Sequence, residues 1–358
     1  MRIGFVVSFL ELTGGHIAVL EIANRLADHG HELLLVYPAR SIMSRRNDVL
    51  RRARGIVPDG LLSPLYHCNT DRLEWASFSG EIVRVRELEE RFMPDLDAVV
   101  ATAWQTAERV ARMGSRVGRK VCFIQHYETW SGPEARVDAT WRAPFLRIAT
   151  SDWLRRLALE RFGIDDVHVV PYGVDLGAFF PDPPKRRGEK LRVGVLTHEE
   201  PWKGVSDSLA AIRSAIDGGR PVQPVFFGLF PPPDGVPDGT EVRLRPERPE
   251  LRRLYSSLDV FLCGSWAESG PMTVPEAMAC GTCVVSTDVG NVALWSGGDD
   301  AAYLAPPRRP TELAAALAAA LDDPAGRAGK AQRGLQRIQA YTWDRAAREF
   351  ARILEEGR

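Results

Sequence analysis

No apolar run in this chain approaches the roughly 20 residues that a membrane-spanning helix needs. The start, Met1-Arg2-Ile3-Gly4-Phe5-Val6-Val7, reads as a strand and meets Glu11 too soon for a secretory leader, so a cytoplasmic protein is expected. Cysteine is scarce. Cys68, Cys122, Cys263, Cys280 and Cys283 are an odd set of five without a framework spacing, which excludes a disulfide scaffold and suits a reducing compartment. Cys280 and Cys283 form a C-x-x-C, but they close a helix, where a redox pair would open one, and no second pair completes a zinc site. They read as structural. A formal net charge of −1, with charged residues at 26%, leaves no basic excess for a nucleic-acid partner. No G-x-G-x-x-G follows the first strand, so no dinucleotide site is expected there. No repeat of solenoid period is present either.

What the chain does have is length and alternation. Its 358 residues suffice for two α/β domains, each with its own core. The most informative stretch lies between two short apolar runs, Asp259-Val260-Phe261-Leu262-Cys263 and Thr282-Cys283-Val284-Val285-Ser286, both of the kind that form buried parallel strands. Between them stand Glu268-Ser269-Gly270-Pro271-Met272-Thr273-Val274-Pro275-Glu276 and a short helix over Glu276 to Ala279, capped by Gly281. Loops at the C-terminal ends of parallel strands bind ligands in doubly wound sheets. Two readings of Glu276 compete. Thr273 and Glu276 have the spacing of a capping box, which is structural. The alternative is a helix N-terminus facing a phosphate, with Glu268 and Glu276 accepting bonds from sugar hydroxyls.

The rest of the chain supplies the frame. Ile3 to Ser8, an amphipathic helix from His16 to His29 and Glu32 to Tyr37 make a βαβ unit, with Gly14-Gly15 breaking the loop after the first strand. Arg40 to Arg54 carries six arginines against the single acid Asp48; a solvated helix face and an anionic acceptor or membrane surface both fit. Lys120 to Gln125 reads as a strand that delivers His126 at its C-terminal end, a position that favours function, with Glu128 a weaker candidate. Leu146 to Thr150 is a strand, with Ser151 as N-cap of the next helix. Residues 181–190 have the composition of a linker, placing an N-terminal domain at 1–180 and a second domain at 191–340. Leu191 to Leu196 begins the latter, and Lys203-Gly204 opens its first helix, where a lysine is unfavourable beside the helix dipole.

Glu268-x7-Glu276 followed by Ala-Met-Ala-Cys-Gly resembles the signature of family-4 retaining glycosyltransferases of the GT-B fold. The resemblance implies an α/β protein of two Rossmann-like domains facing across a cleft, with residues 341–358 forming a C-terminal helix that crosses back onto the N-terminal domain. It implies a sugar moved from a nucleotide-diphosphate sugar to a hydroxyl acceptor, whether glycan, lipid-linked or small molecule. Donor binding would fall to Gly15, Lys203, Glu276 and the stretch Ser269, Gly270, Pro271, Met272 and Thr273. The acceptor side would be near Gly14 and His16, and His126, Glu268 and Lys203 would serve catalysis. The sequence departs from the family pattern where an arginine usually precedes the lysine by about five residues: here stand His198, Glu199 and Glu200. No D-x-D-type acidic pair stands in a suitable loop, which agrees with transfer that needs no metal and no cofactor. An epimerase of the same fold and a non-catalytic nucleotide-sugar binder remain as alternatives.

Overall fold

The computed structural model describes residues 1–10, 13–39, 42, 73, 77–182 and 189–356. These fall into two compact units, Met1–Pro171 with Trp343–Arg358, and Tyr172–Thr342. The division precedes the proline-rich 181–190 stretch, because the chain from Tyr172 onward is already fastened to the second unit. Val174 N donates to Tyr341 O at 2.9 Å, Phe179 packs edge-on against Tyr255, and Asp182 N donates to Ser256 Oγ at 3.1 Å.

The first unit is a seven-stranded parallel sheet in the order β3-β2-β1-β4-β5-β6-β7. Its strands are β1 (Arg2–Val6), β2 (Glu32–Pro38), β3 (Glu81–Val85), β4 (Ala98–Ala101), β5 (Arg119–Ile124), β6 (Leu146–Ala149) and β7 (Val167–Val169). Helix α1 (Gly14–Asp28) follows β1, and α2 (Trp104–Val110) follows β4. Helices α3 (Glu134–Arg142) and α4 (Asp152–Phe162) flank β6 in sequence. Strand β4 is buried throughout, as expected of a central strand covered on both faces. The strand order reverses between β1 and β4, so the loops leaving those strands diverge and leave a crevice at their C-terminal ends.

The second unit repeats the plan with six parallel strands in the order β10-β9-β8-β11-β12-β13. They are β8 (Leu191–Thr197), β9 (Val222–Gly228), β10 (Glu241–Leu244), β11 (Val260–Cys263), β12 (Cys283–Thr287) and β13 (Ala302–Ala305). The helices are α5 (Val205–Asp217), α6 (Arg248–Ser257), α7 (Thr273–Ala279), α8 (Val292–Ser296), α9 (Pro310–Asp322) and α10 (Pro324–Ile338). Here the order reverses between β8 and β11. Valines and Phe226 of the sheet pack against Leu209 and Ile212 of α5 and Leu313 and Leu317 of α9.

The last helix, α11 (Trp343–Glu356), belongs to the first unit. Its buried residues Trp343, Ala346, Ala347, Phe350, Ile353 and Leu354 recur at helical spacing. Phe350 is fully buried, with its ring centroid 5.9 Å from Phe5 and 5.5 Å from Phe123. Arg119 Nη1 closes the contact by donating to the carbonyl of Leu354 at 2.9 Å.

Candidate functional site

Lys203 and Glu268 are 65 residues apart and meet at the switch point of the second sheet, with Lys203 Nζ 2.7 Å from Glu268 Oε1. Lys203 ends a 3-10 turn after β8, and Gly204 stands between that turn and α5 with φ +59°. A Cβ on Gly204 would lie 1.8 Å from the carbonyl oxygen of Gly264, so only glycine lets the two loops approach. Glu268 leaves β11 on the facing loop, where Ser265 Oγ lies 3.2 Å from its Oε1 and 3.4 Å from the carbonyl of Lys203. Trp266 Nε1 donates to Asp207 Oδ2 at 2.7 Å, and Thr287 Oγ1 donates to the carbonyl of Ser265 at 2.5 Å. The loop is thereby pinned to α5 on one side and to β12 on the other.

Past Glu268, Ser269, Gly270 and Pro271 are buried and deliver the chain into α7. Gly270 passes close over Tyr172, Asn291 and Trp295; a Cβ there would lie 2.9 to 3.2 Å from their side chains. Gly290 runs beneath Ser269 with φ +58°, where a Cβ would come within 2.5 Å of the Ser269 carbonyl. The capping-box reading does not survive. The helix starts at Thr273, Met272 holds the N-cap position, and no side chain caps it. The Glu276 carboxylate instead takes the hydroxyl of Tyr255, at 3.0 Å to Oε2. Gly281 ends the helix as expected, with φ +73°.

His198 stands where the family pattern usually has an arginine. Its Nδ1 accepts the N–H of Glu200 at 3.0 Å, which leaves Nε2 as the protonated nitrogen of the neutral ring. Burial and then the nearby Lys203 hold the imidazole below its ordinary range, with Glu268 and Glu199 opposing. His198 is therefore no second fixed cation.

The crevice of the first unit collects the remaining candidates. Gly14 and Gly15 do not break a loop: they form the first turn of α1, capped by Thr13, whose hydroxyl accepts the N–H of His16 at 3.2 Å. A Cβ on Gly15 would lie 3.3 Å from Oε1 of Gln125, so the helix start rests on the end of β5. The His126 ring packs edge-on against Trp130 and Trp153, with centroids 4.5 and 5.4 Å away. Glu128 accepts the N–H of Trp104 at 2.7 Å, at the N-terminus of α2. Burial raises its carboxyl pKa to about 7, against that hydrogen bond. Glu128 and His126 also line a small cavity with Cys122, Gln125 and Arg147. Ser151 occupies the N-cap position of α4, but its hydroxyl makes no capping bond.

The arginines of Arg40–Arg54 lie outside the described residues. Cys280 is buried at the end of α7 and burial pushes its thiol up to about 12, as a structural cysteine requires. Among the described residues no helix is long and apolar enough to cross a membrane, and no three His, Cys, Asp or Glu side chains stand together as a metal site would need.

Against known families, the model for Glycosyltransferase Family 4 matches residues 12–178, and that for Glycosyl transferases group 1 matches residues 190–323. The chain belongs to the family-4, group 1 glycosyltransferases. This glycosyltransferase is 26% identical to a phosphatidyl-myo-inositol mannosyltransferase of Mycolicibacterium smegmatis, across 99% of this chain and 94% of that one. It is 30% identical to a D-inositol 3-phosphate glycosyltransferase of Kineococcus radiotolerans over 56% of this chain and 54% of that protein, about half the length of each. Its fold is GT-B: the Anabaena protein HepE, solved in complex with UDP-glucose, matches with a TM-score of 0.73 at 17% identity, covering 99% of this chain and all of that one.

The sequence reading of this glycosyltransferase missed Tyr255 and Ser265, which hold the two glutamates. Nothing in the sequence separates Tyr255 from an ordinary core aromatic, because its partner lies 21 residues away. Gly290 did leave a signal, a glycine in a turn after a strand, but only the close approach to Ser269 explains it.

Proposed function

We propose that this glycosyltransferase moves a sugar from a nucleoside diphosphate sugar to a hydroxyl acceptor with retention at the anomeric carbon, and that the transfer needs no metal. The observation that carries the reading is the Lys203–Glu268 pair at the head of the loop Ser269 to Met272, which leads directly into the helix that carries Glu276. Lys203 and the backbone amides of the loop that leads into α7 suit a diphosphate. Glu276, half-buried on the same short helix, suits the ribose hydroxyls, and Glu268 suits the sugar. Solved with UDP-glucose, HepE supports this kind of donor, and the inositol-acting relatives support a polyol hydroxyl as acceptor.

In the proposed step the bond from the anomeric carbon to the phosphate oxygen breaks as the acceptor oxygen bonds to the same face. The acceptor's proton passes to the departing phosphate oxygen. Lys203 and the loop amides stabilise the charge that grows on the leaving group, which is the largest electrostatic demand of the step. Retention through two displacements would need a carboxylate free to attack the anomeric carbon. Glu268 is paired with Lys203 on the leaving-group side, and Glu128 is engaged at the N-terminus of α2 with its pKa raised to about 7. Both arrangements favour the single front-face substitution. His126 then positions the donor sugar. Placement at an inner membrane face through Arg40–Arg54 belongs to the same reading, and salt-reversible binding to anionic vesicles tests it.

Proton NMR of the first product formed from an α-linked donor tests the central claim. An α-linked product is expected, and a β-linked one refutes retention. His126→Ala is expected to lower turnover at least tenfold while nucleoside diphosphate affinity stays within about twofold. Turnover of the donor with no acceptor present would instead point to an epimerase.

A further inference from the structure

The second carboxylate of the signature has a partner that the signature does not contain. Tyr255 is fully buried on α6, and its hydroxyl donates to Glu276 Oε2 at 3.0 Å. The ring is locked from three sides, edge-on to Phe227 at 5.4 Å, to Phe261 at 5.7 Å and to Phe179 at 6.1 Å. Its backbone is tied as well, since Thr282 Oγ1 donates to the carbonyl of Tyr255 at 2.5 Å. Thr282 follows Gly281 at the end of α7, so α6 and α7 are fixed to each other by the backbone of the residue that reaches Glu276.

We propose that Tyr255 is a positioning residue for nucleotide recognition: it fixes the Glu276 carboxylate in the orientation in which it meets the ribose hydroxyls of the donor. This rests on Glu276 being the ribose-binding residue. A half-buried glutamate has three side-chain torsions, and a hydrogen bond to one oxygen removes most of that freedom before the ligand arrives. The bond is charge-assisted and lies against an apolar aromatic cluster, where such bonds are strong. Burial, and then the neighbouring carboxylate, hold the phenol well above its usual range, so it remains a donor throughout the range in which the protein would work. A merely structural tyrosine would gain as much from any buried acceptor. This one grips the single carboxylate that the nucleotide is proposed to use.

Tyr255→Phe keeps the ring and its edge-on contacts, and so separates the hydroxyl from the packing. The probes are UDP and GDP, each compared with its 2′,3′-dideoxy counterpart by calorimetry on the full chain, with melting temperature recorded for every variant. The wild type is expected to prefer the ribonucleotide. In Tyr255→Phe that preference should fall about tenfold, the scale of one hydrogen bond to a charged group, while turnover at saturating donor changes less than twofold. Adding Tyr255→Phe to Glu276→Ala should then change the preference no further. If Tyr255→Phe keeps the wild-type preference while Glu276→Ala has lost it, Tyr255 serves packing alone and the inference is overturned. If Glu276→Ala itself keeps the preference, the ribose assignment is wrong, and the role of Tyr255 falls with it.

Discussion

Removing the ammonium of Lys203 should separate what the Lys203–Glu268 pair does for the fold from what it does for the ligand. At 2.7 Å and an effective dielectric near 20, the gross attraction is about 6 kcal/mol. Most of this offsets the desolvation of the two ions, so the pair as a whole adds little to stability. Losing one partner is different. Only 11% of the Glu268 side chain is exposed, and in Lys203→Met its carboxylate would stay in place with Ser265 Oγ as remaining donor. Breaking a well-buried pair costs about 3–5 kcal/mol. With Lys203 27% exposed and the serine retained, about 2 kcal/mol is the better figure, or roughly 4–8 °C in melting temperature for a domain of this size. The double variant Lys203→Met/Glu268→Gln should regain most of that loss, because no charge is left unpaired. Diphosphate binding should behave otherwise: calorimetry with UDP and GDP should show it weakened at least tenfold in both variants, since each lacks the cation. A double variant that melts no higher than Lys203→Met refutes the electrostatic account of stability. One that binds diphosphate like the wild type refutes the role given to Lys203.

Three further outcomes follow from the same structure. Gly204→Ala places a methyl group against the Gly264 carbonyl in a left-handed backbone, and should destabilise the protein by at least about 2 kcal/mol in denaturant melts; a change under 0.5 kcal/mol would mean the two loops are not so close. Glu128, with its pKa raised from 4.5 to about 7, favours the folded state when protonated, so its contribution is complete below pH 4.5 and is lost as pH rises to about 7. Glu128→Gln should flatten the fall in stability across that window, and an unaltered pH profile would contradict the burial assigned to this carboxyl. Transfer activity should persist in excess EDTA, and its loss there, restored by a divalent cation, would overturn metal-free departure of the diphosphate.

The fold was legible because local and global signals agreed. Short apolar runs alternating with amphipathic stretches specify parallel strands with crossover helices, and both sheets have that form. The site was legible where backbone and spacing carry it. Lys203-Gly204, Glu268 and Glu276 stood out in the sequence, and the structure brings Lys203 and Glu268 together beside Gly204, which tolerates no side chain. Two readings failed for a common reason. Thr273 and Glu276 have the spacing of a cap, yet the helix begins at Thr273 itself and Glu276 turns to a tyrosine on another helix. Gly14 and Gly15 look like loop residues because glycine is a poor helix former, but Thr13 caps the turn and Gly15 packs closely against the side chain of Gln125. In both cases tertiary contact overrode a sound local rule. The 181–190 stretch misled in another way, because composition marks where chain is polar and not where packing changes partners.

The helix Trp343–Glu356 has a consequence for the order in which this protein is made. The second unit is one unbroken segment, Tyr172–Thr342, whereas the first is assembled from two segments separated by all of the second. On the ribosome, the first sheet emerges early with Phe5 and Phe123 still lacking the ring of Phe350 that covers them. The second unit can fold to completion while that apolar face waits. Helix Trp343–Glu356 therefore seals a sheet made well before it, and until then the newborn sheet is the surface a chaperone would hold.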